Sequence, residues 1–251
     1  MTESVFLNGT YHQMFGDELQ HPPYTPALHR KNLLDSYAFS FKMIQARGWE
    51  SPLHCLEPNV LQLGTASYHT SKTFVDFVHA LNPRAQISIV DIAPHPLTEC
   101  ADQGLDQENN VNLRQADART LLAIYPKDTF DHIETDGLFQ FLSADDKRIV
   151  LSQCFAVLKP GGVLTTRDRF TPRNADVSTQ NEYETWQSSL ERRLWATVYP
   201  STKEDMWDLL GKTGFSRTMA RRTMQNALKF LNHIVARKPT SKLRSTSTEN
   251  R

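Results

Sequence analysis

Five strand-like runs, the third alternating and the fourth oddly polar for a central parallel strand, each followed by a stretch of different periodicity, constrain this chain more than any single motif. The runs are residues 59–64, 86–91, 111–117, 130–136 and 163–166. After the first, Phe74, Phe77, Val78 and Leu81 recur at helical spacing across 70–81, and Asn82-Pro83 ends that helix. Pro94 and Pro96 open the next helix, where a missing N–H costs little, and it extends to about Gly104. A short helix passes through Leu121 and Leu122, and Pro126 begins the following turn. Ser143 then caps a helix with Asp145 and Asp146 in its first turn. Its buried stripe is Val150, Cys154, Val157 and Leu158, and Lys159-Pro160-Gly161-Gly162 reads as a sharp stop. Strand and helix alternating in this way imply a parallel sheet with right-handed crossovers and helices on both faces.

The flanks complete the architecture. Residues 171–200 interrupt the alternation with a polar loop and a helix bearing Tyr183, Trp186, Leu190 and Leu194 on one stripe. That helix either packs on the sheet or walls a substrate pocket. Residues 202–212 form another helix, closed by Gly214. Phe215–Thr223 and Leu228–Ala236 read as strands joined by a short turn near Gln225-Asn226, so they must pair antiparallel. The expected fold is therefore α/β: a doubly wound, mostly parallel seven-stranded sheet with a final antiparallel hairpin. Residues 1–58 precede it as an N-terminal helical cap segment, broken by His21-Pro22-Pro23-Tyr24-Thr25-Pro26. Leu33, Leu34, Tyr37, Phe41 and Ile44 set a helix over 28–47 that stops at Gly48. It packs on the sheet, or it covers a ligand site with Tyr11, His12 or Tyr37 near the ligand. Residues 59–237 are one domain with 171–200 inserted, and 238–251, rich in Ser, Thr and Lys, read as disordered.

Composition narrows the function classes. The 251 residues carry a formal net charge of zero, so a generally nucleic-acid-binding surface is not indicated. The C-terminal cluster of Arg217, Arg221, Arg222, Lys229, Arg237, Lys238, Lys242 and Arg244 reads as a solvated edge hairpin and tail. Cys55, Cys100 and Cys154 lie far apart without ligand-type spacing, which points away from a metal site or disulfides and toward reduced thiols. No apolar run approaches the roughly 20 residues of a spanning helix, and no signal-peptide core is present, so the expectation is a soluble, cytoplasmic protein with no membrane partner.

The first βαβ unit carries the chemical signal. Val60-Leu61-Gln62-Leu63-Gly64-Thr65-Ala66-Ser67 takes an apolar run onto a glycine turn and into a helix, and Ile87-Ser88-Ile89-Val90 ends on Asp91. Such a turn lets backbone approach a nucleoside, and a carboxylate at the second strand tip accepts from ribose hydroxyls. The interval from Gly64 to Asp91 exceeds the usual spacing of roughly 20 residues.

These residues resemble the class I S-adenosylmethionine-dependent methyltransferases, over residues 59–237. Leu63-Gly64-Thr65-Ala66-Ser67 is similar to the family's glycine loop, and Asp91 to its ribose-binding acid. Gln115-Ala116-Asp117-Ala118 resembles the adenine-holding segment, with Asp117 at the exocyclic amine. Phe130-Asp131-His132-Ile133-Glu134-Thr135-Asp136-Gly137 matches the fourth strand, and Val157-Leu158-Lys159-Pro160-Gly161-Gly162-Val163-Leu164 is the most specific match. The resemblance implies that S-adenosylmethionine is held by Gly64, Thr65, Ala66, Ser67, Tyr68, Asp91, Ile92, Asp117 and Ala118. One departure stands out. The family loop reads Gly-x-Gly-x-Gly, and here Ala66 and Tyr68 occupy the second and third glycine positions. A Cβ at such positions crowds the cofactor or the turn, so Tyr68 must point away or touch the methionine part.

Methyl transfer from an activated donor asks the protein mainly for positioning and a dry pocket, with a base needed only for an acceptor whose proton has a high pKa. Asp136, at the end of the fourth strand, is the first candidate to take a proton or orient the acceptor, or it is a turn aspartate beside Gly137. His132 is deeper in the strand and Asp168 follows the fifth strand, where it lines the pocket or pairs with Arg167 or Arg169. His69 begins the first helix, near the expected methionine carboxylate. The primary expectation is an enzyme methylating O, N or C of a small-molecule acceptor. A non-catalytic binding or structural protein on the same fold is the alternative, motivated by Tyr68. A nicotinamide dehydrogenase ranks last, because the chain lacks Gly-x-Gly-x-x-Gly and a Tyr-x-x-x-Lys pair. The hairpin at 215–236 is a candidate homodimer surface.

Overall fold

The computed structural model describes residues 26–171, 177–194, 197–222 and 231–240. Expectations resting on Tyr11, His12, Gln225-Asn226, Lys229 and the tail beyond residue 240 lie outside these residues, as do those resting on the side chains of Trp186, Leu190, Leu194, Arg217, Arg221 and Arg222.

The alternation becomes a seven-stranded sheet of order β3-β2-β1-β4-β5-β7-β6. Its strands are β1 (Asn59–Leu63), β2 (Gln86–Asp91), β3 (Val111–Gln115), β4 (Phe130–Asp136), β5 (Leu158–Arg169), β6 (Ser216–Arg222) and β7 (Leu231–Arg237). β1 to β5 pair in parallel, and β7 runs antiparallel to both β5 and β6. The helices are α1 (Pro26–Ala46), α2 (Tyr68–Leu81), α3 (Pro94–Asp102), α4 (Ala144–Val157), α5 (Val177–Leu194) and α6 (Lys203–Thr213). None among the described residues is long and apolar enough to cross a membrane.

The period of two along each strand sorts the core into two layers. Leu61, Leu63, Ile133 and Leu164 face Val150, Leu151 and Cys154 of α4 and Met206 and Leu210 of α6. Val60, Ile87 and Ile89 face the other way, onto Leu33, Tyr37 and Phe41 of α1, Phe74 and Val78 of α2, and Leu97 and Cys100 of α3. α1 therefore packs on the sheet beside α2. Its last turn stays with the start of β5, where Ile44 and Trp49 cluster with Val163 and Val235, and Gly48, at φ +66°, closes it. The N-cap expected at α4 is present, and α6 starts on one that the sequence reading did not name. Ser143 accepts from the Asp146 N–H at 3.1 Å, and Thr202 and Asp205 form a capping box.

Two boundaries differ from the sequence expectation. β3 stops at Gln115, and Asp117 instead caps a 3-10 turn over Ala118–Ala123. The Lys159-Pro160-Gly161-Gly162 segment ends α4 but lies inside β5. Gly161 has φ +87°, and a Cβ on Gly162 would sit 2.9 Å from the Lys159 carbonyl oxygen and 3.1 Å from that of Phe130. The glycines let the strand start at once, against a register shift between Phe130 and His132.

The polar content of β4 finds its partners across the ladder. On the α1 face His132, Glu134 and Asp136 stand in register with Val163, Thr165 and Arg167. The His132 Nε2 lies 2.7 Å from Thr165 Oγ1, and the Thr165 hydroxyl donates to Glu134. On the opposite face Thr135 donates to Thr166 at 2.7 Å.

Candidate functional site

A cleft opens at the carboxyl edge of β1, β2 and β4, where ligands bind in sheets of this kind. Gly64 makes the turn out of β1 at φ +78°, a conformation that disfavours any side chain. The turn is held by Asp91. Its Oδ2 accepts the Thr65 N–H at 2.7 Å and its Oδ1 accepts the Ala93 N–H at 2.8 Å. Burial pushes the Asp91 carboxyl up to about 6, against the backbone hydrogen bonds from Thr65, Ala93 and Ile92 that favour its charge. Asp91 lines the cleft beside Gly64, Thr65, Ala66 and Ile92.

Asp117 and Ala118 lie on the same cleft. Asp117 accepts from Arg119 through its N–H at 2.8 Å and its Nε at 2.9 and 3.1 Å. The same guanidinium reaches Asp146 at 3.2 Å, so an acid–guanidinium–acid chain spans from the 3-10 turn to α4. Leu138, Phe141, Leu142 and Val150 supply an apolar wall, and Tyr199 closes the cleft from the inserted segment. Tyr199 is docked by its N–H on the Gln140 carbonyl at 2.8 Å. Its own carbonyl receives the ammonium of Lys147, a buried residue of α4, at 2.9 Å, and that ammonium also reaches the Ser201 hydroxyl at 3.2 Å.

Asp136 stands on the cleft wall, but not as a free carboxylate. Arg167 donates to both its oxygens, at 2.8 and 2.5 Å. Burial alone would raise the Asp136 carboxyl, and the guanidinium reverses this and holds it below the usual carboxylate range.

Four of the residues predicted for the site do not line the cleft. Ser67 is buried as the N-cap of α2, accepting from the Thr70 N–H. Tyr68 turns its ring onto His69 and the α1–α2 core, while its N–H donates to Glu99 at 3.1 Å. His132 is fully buried against Phe41 and Phe74, and desolvation lowers its pKa to about 3. Asp168 is buried on the opposite sheet face, accepting the Phe139 N–H at 2.8 Å and the Arg169 N–H at 3.0 Å. Burial raises it to about 7, and it fixes the turn after β4 from behind. His69, exposed at the start of α2, is also off the cleft. Sequence reasoning missed Arg119, Asp146, Tyr199 and the pairing of Arg167 with Asp136.

Residues 60–162 match the family described as "Methyltransferase domain". No curated protein matches the chain. Among solved structures, human N-acetylserotonin methyltransferase in complex with SAM superposes with a TM-score of 0.58 at 17% identity, over 93% of this chain and 59% of that one. The CurJ carbon methyltransferase gives 0.57 at 18% identity, over 79% of this chain and 52% of that one. YcgJ from Bacillus subtilis gives 0.55 at 16% identity, over 80% of this chain and 99% of that one. This chain thus spans little more than half the length of the first two. At such identities the likeness is one of fold. Residues 60–162 thus match a methyltransferase-domain family, and the fold around them is the Rossmann-like one shared with these solved structures.

Proposed function

We propose that this cleft binds S-adenosylmethionine and that the protein transfers its methyl group to oxygen, nitrogen or carbon of a small-molecule acceptor. The observation that carries the reading is Asp91. It is a buried carboxylate at the tip of β2, oriented by two backbone N–H groups, on the same wall as the glycine turn. A carboxylate in that place suits a ribose diol, Asp117 suits an exocyclic amine, and the apolar wall of Ile92, Leu138 and Leu142 suits a flat base. When bound, the sulfonium cofactor would supply an activated methyl group for attack by an electron pair of the acceptor, with a neutral thioether as leaving group and the acceptor's proton released on product departure.

The chain's own residues position and exclude. Arg167 keeps Asp136 ionised, so Asp136 presents negative charge to a cationic centre and is a weak proton acceptor. Tyr199 and the turn after β4 shield the reacting atoms from water. The zero net charge and the small, mostly apolar cleft favour a small molecule over a nucleic acid.

Titration calorimetry with S-adenosylmethionine and S-adenosylhomocysteine, on wild type and Asp91→Ala, tests this. The expected result is micromolar binding that weakens by about tenfold or more in the variant, the loss of about 1.4 kcal/mol. No heat from either ligand with folded wild type would leave a non-catalytic protein on this fold.

A further inference from the structure

Two acids and one guanidinium line one end of the cleft: Asp117, Arg119 and Asp146. Each side chain keeps between 27% and 33% of its surface exposed, so a ligand in the cleft can touch it. Ion pairs exposed to this degree add little stability. What they fix is direction. Arg119 donates through Nε to Asp117 Oδ2 at 2.9 Å and to its Oδ1 at 3.1 Å, and its backbone N–H reaches Oδ1 at 2.8 Å. Its Nη2 lies 2.7 Å from Oδ2. The fork therefore grips the carboxylate on both oxygens. Nη1 of the same guanidinium donates to Asp146 Oδ1 at 3.2 Å.

Both ends of this charge chain are anchored in the fold. The Ala116 N–H donates to the Asp91 carbonyl at 2.9 Å, and Gln115 Nε2 donates to the Ile92 carbonyl at 3.1 Å. The loop carrying Asp117 thus leaves directly beside the strand tip carrying Asp91. Asp146 stands in the first turn of α4, where the Ser143 hydroxyl donates to its Oδ2 at 2.7 Å. That bond, with Arg119 adding to it, holds the Asp146 carboxyl below the usual carboxylate range. The 3-10 turn has its own tethers to α4 and the core. The Leu122 N–H donates to Gln153 Oε1 at 2.9 Å, and Leu121 is fully buried. Docking of the turn therefore does not depend on the Arg119–Asp146 bond, whereas the orientation of the Asp117 carboxylate depends on Arg119.

We propose that Arg119 is a positioning residue for base recognition: by gripping both Asp117 oxygens and tying them to Asp146, it presents a fixed carboxylate edge that accepts an amino N–H of the base and repels a carbonyl oxygen in the same place. The assignment rests on the reading that the cleft holds S-adenosylmethionine. It goes further by naming what selects an amino purine over an oxo purine. Two carboxylates against one guanidinium leave this end of the cleft with one uncompensated negative charge, which suits a hydrogen-bond donor and opposes an acceptor.

The test is titration calorimetry on the full chain with S-adenosylhomocysteine and with S-inosylhomocysteine, in which a carbonyl replaces the exocyclic amine. Wild type should prefer the adenosyl ligand by about tenfold or more, because a site built for an N–H donor rejects the analogue that lacks it. Arg119→Lys keeps the charge and loses the fork, and Arg119→Gln loses both. Each should lose about fivefold or more of that preference, through weaker adenosyl binding, with the inosyl ligand within about twofold of wild type. Asp146→Asn, which leaves Asp117 and Arg119 in place, should lower the preference by about twofold to threefold. An Arg119 that only shaped the cleft would weaken both ligands equally or neither, and either result overturns the assignment. So does a preference that survives in Arg119→Lys, or equal wild-type affinity for the two ligands. If both Arg119 variants fail to fold, Asp146→Asn decides, and an unchanged preference there overturns the assignment. Failure of wild type to bind either ligand is a separate result: it removes the cofactor reading, and this inference falls with it.

Discussion

Arg167 grips Asp136 across the β4–β5 ladder, Nε–H to Oδ1 at 2.8 Å and Nη2–H to Oδ2 at 2.5 Å, between residues that are direct partners in register. Breaking such a pair from one side leaves the other charge buried. Arg167→Met should destabilise the protein by about 3–5 kcal/mol, while Arg167→Met with Asp136→Leu should recover most of that loss. The pH dependence follows from the sign of the shift. Asp136 sits below its ordinary value of 3.8 when folded, so the pair's contribution is complete above that value and fades as the pH falls through the folded one. Urea melts from about pH 2 to 7 should show a steep acid limb in wild type and a shallower one in Arg167→Met.

His132 gives a second pH signature. Its imidazole is held neutral by burial, with a pKa lowered to about 3 from an ordinary 6.5. The unfolded chain takes up a proton below 6.5 and the folded chain does not. Stability is therefore complete above 6.5 and declines as the pH drops from there toward 3, with a slope of about 1.4 kcal/mol per pH unit for one proton. His29 and His233, both lowered to about 4, add slope of the same sign. Glu134 acts oppositely, because burial raises its carboxyl. In His132→Gln the wild-type-minus-variant difference should isolate the single-proton slope. A difference that is flat between pH 4 and 6.5, a window of about 2.5 units, would show that His132 is protonated in the fold.

Much of this was legible in the sequence, for reasons that are local. Period-two and helical patterns placed all five parallel strands and the helices between them, and Ser143 marked a helix start, because caps and faces are set by neighbours in the chain. The glycine turn and Asp91 were legible for the same reason: one loop and one strand tip define them. What sequence could not show was pairing at a distance. His132, Glu134 and Asp136 share a face, but which of them reaches the cleft depends on Thr165 and Arg167, some thirty positions on. Asp168 looked like a pocket residue by its place after β5, yet strand alternation turns it to the opposite face. Tyr199 carries no motif, and contacts with Lys147 and Gln140 bring it to the cleft.

Tyr68 replaces a glycine of the family loop without entering the cleft, its half-buried ring lying in the α1–α2 core. Tyr68→Ala should therefore leave S-adenosylhomocysteine affinity within about twofold of wild type while costing about 1–2 kcal/mol of stability from lost burial. Asp91 should behave the other way. With a carboxyl raised to about 6, it loses its charge as the pH falls below that value, and the wild-type affinity should weaken there. Asp91→Asn should bind more weakly throughout and show no such transition. Calorimetry across that range checks both variants together, and a strong affinity loss in Tyr68→Ala would place its ring against the ligand.

Lys147 tests how the cleft is closed. It projects from α4 into the protein, only 2% exposed, and its ammonium donates to the Tyr199 carbonyl and the Ser201 hydroxyl. Burial lowers its pKa, and the acids Asp168 and Asp205 oppose that. A second set of contacts tethers the same segment: Val198 N–H to Glu191 at 2.9 Å, Tyr199 N–H to the Gln140 carbonyl at 2.8 Å, and Thr171 N–H to the Ser201 carbonyl at 2.9 Å. Lys147→Met keeps the apolar stem and removes the charged donor, leaving the Tyr199 carbonyl unpaired, a loss of about 1–3 kcal/mol. Because the other tethers remain, the protein should stay folded while the Tyr199 wall loosens. Amide hydrogen exchange at Val198 and Tyr199 should then be faster than in wild type, and S-adenosylhomocysteine affinity should fall about tenfold. Ser201→Ala, which removes the longer of the two contacts and keeps the charge, should have a smaller effect on both. A folded Lys147→Met protein with wild-type affinity would show that the nucleoside end of the cleft does not depend on Tyr199, and that the Lys147 clasp serves the stability of the inserted segment alone.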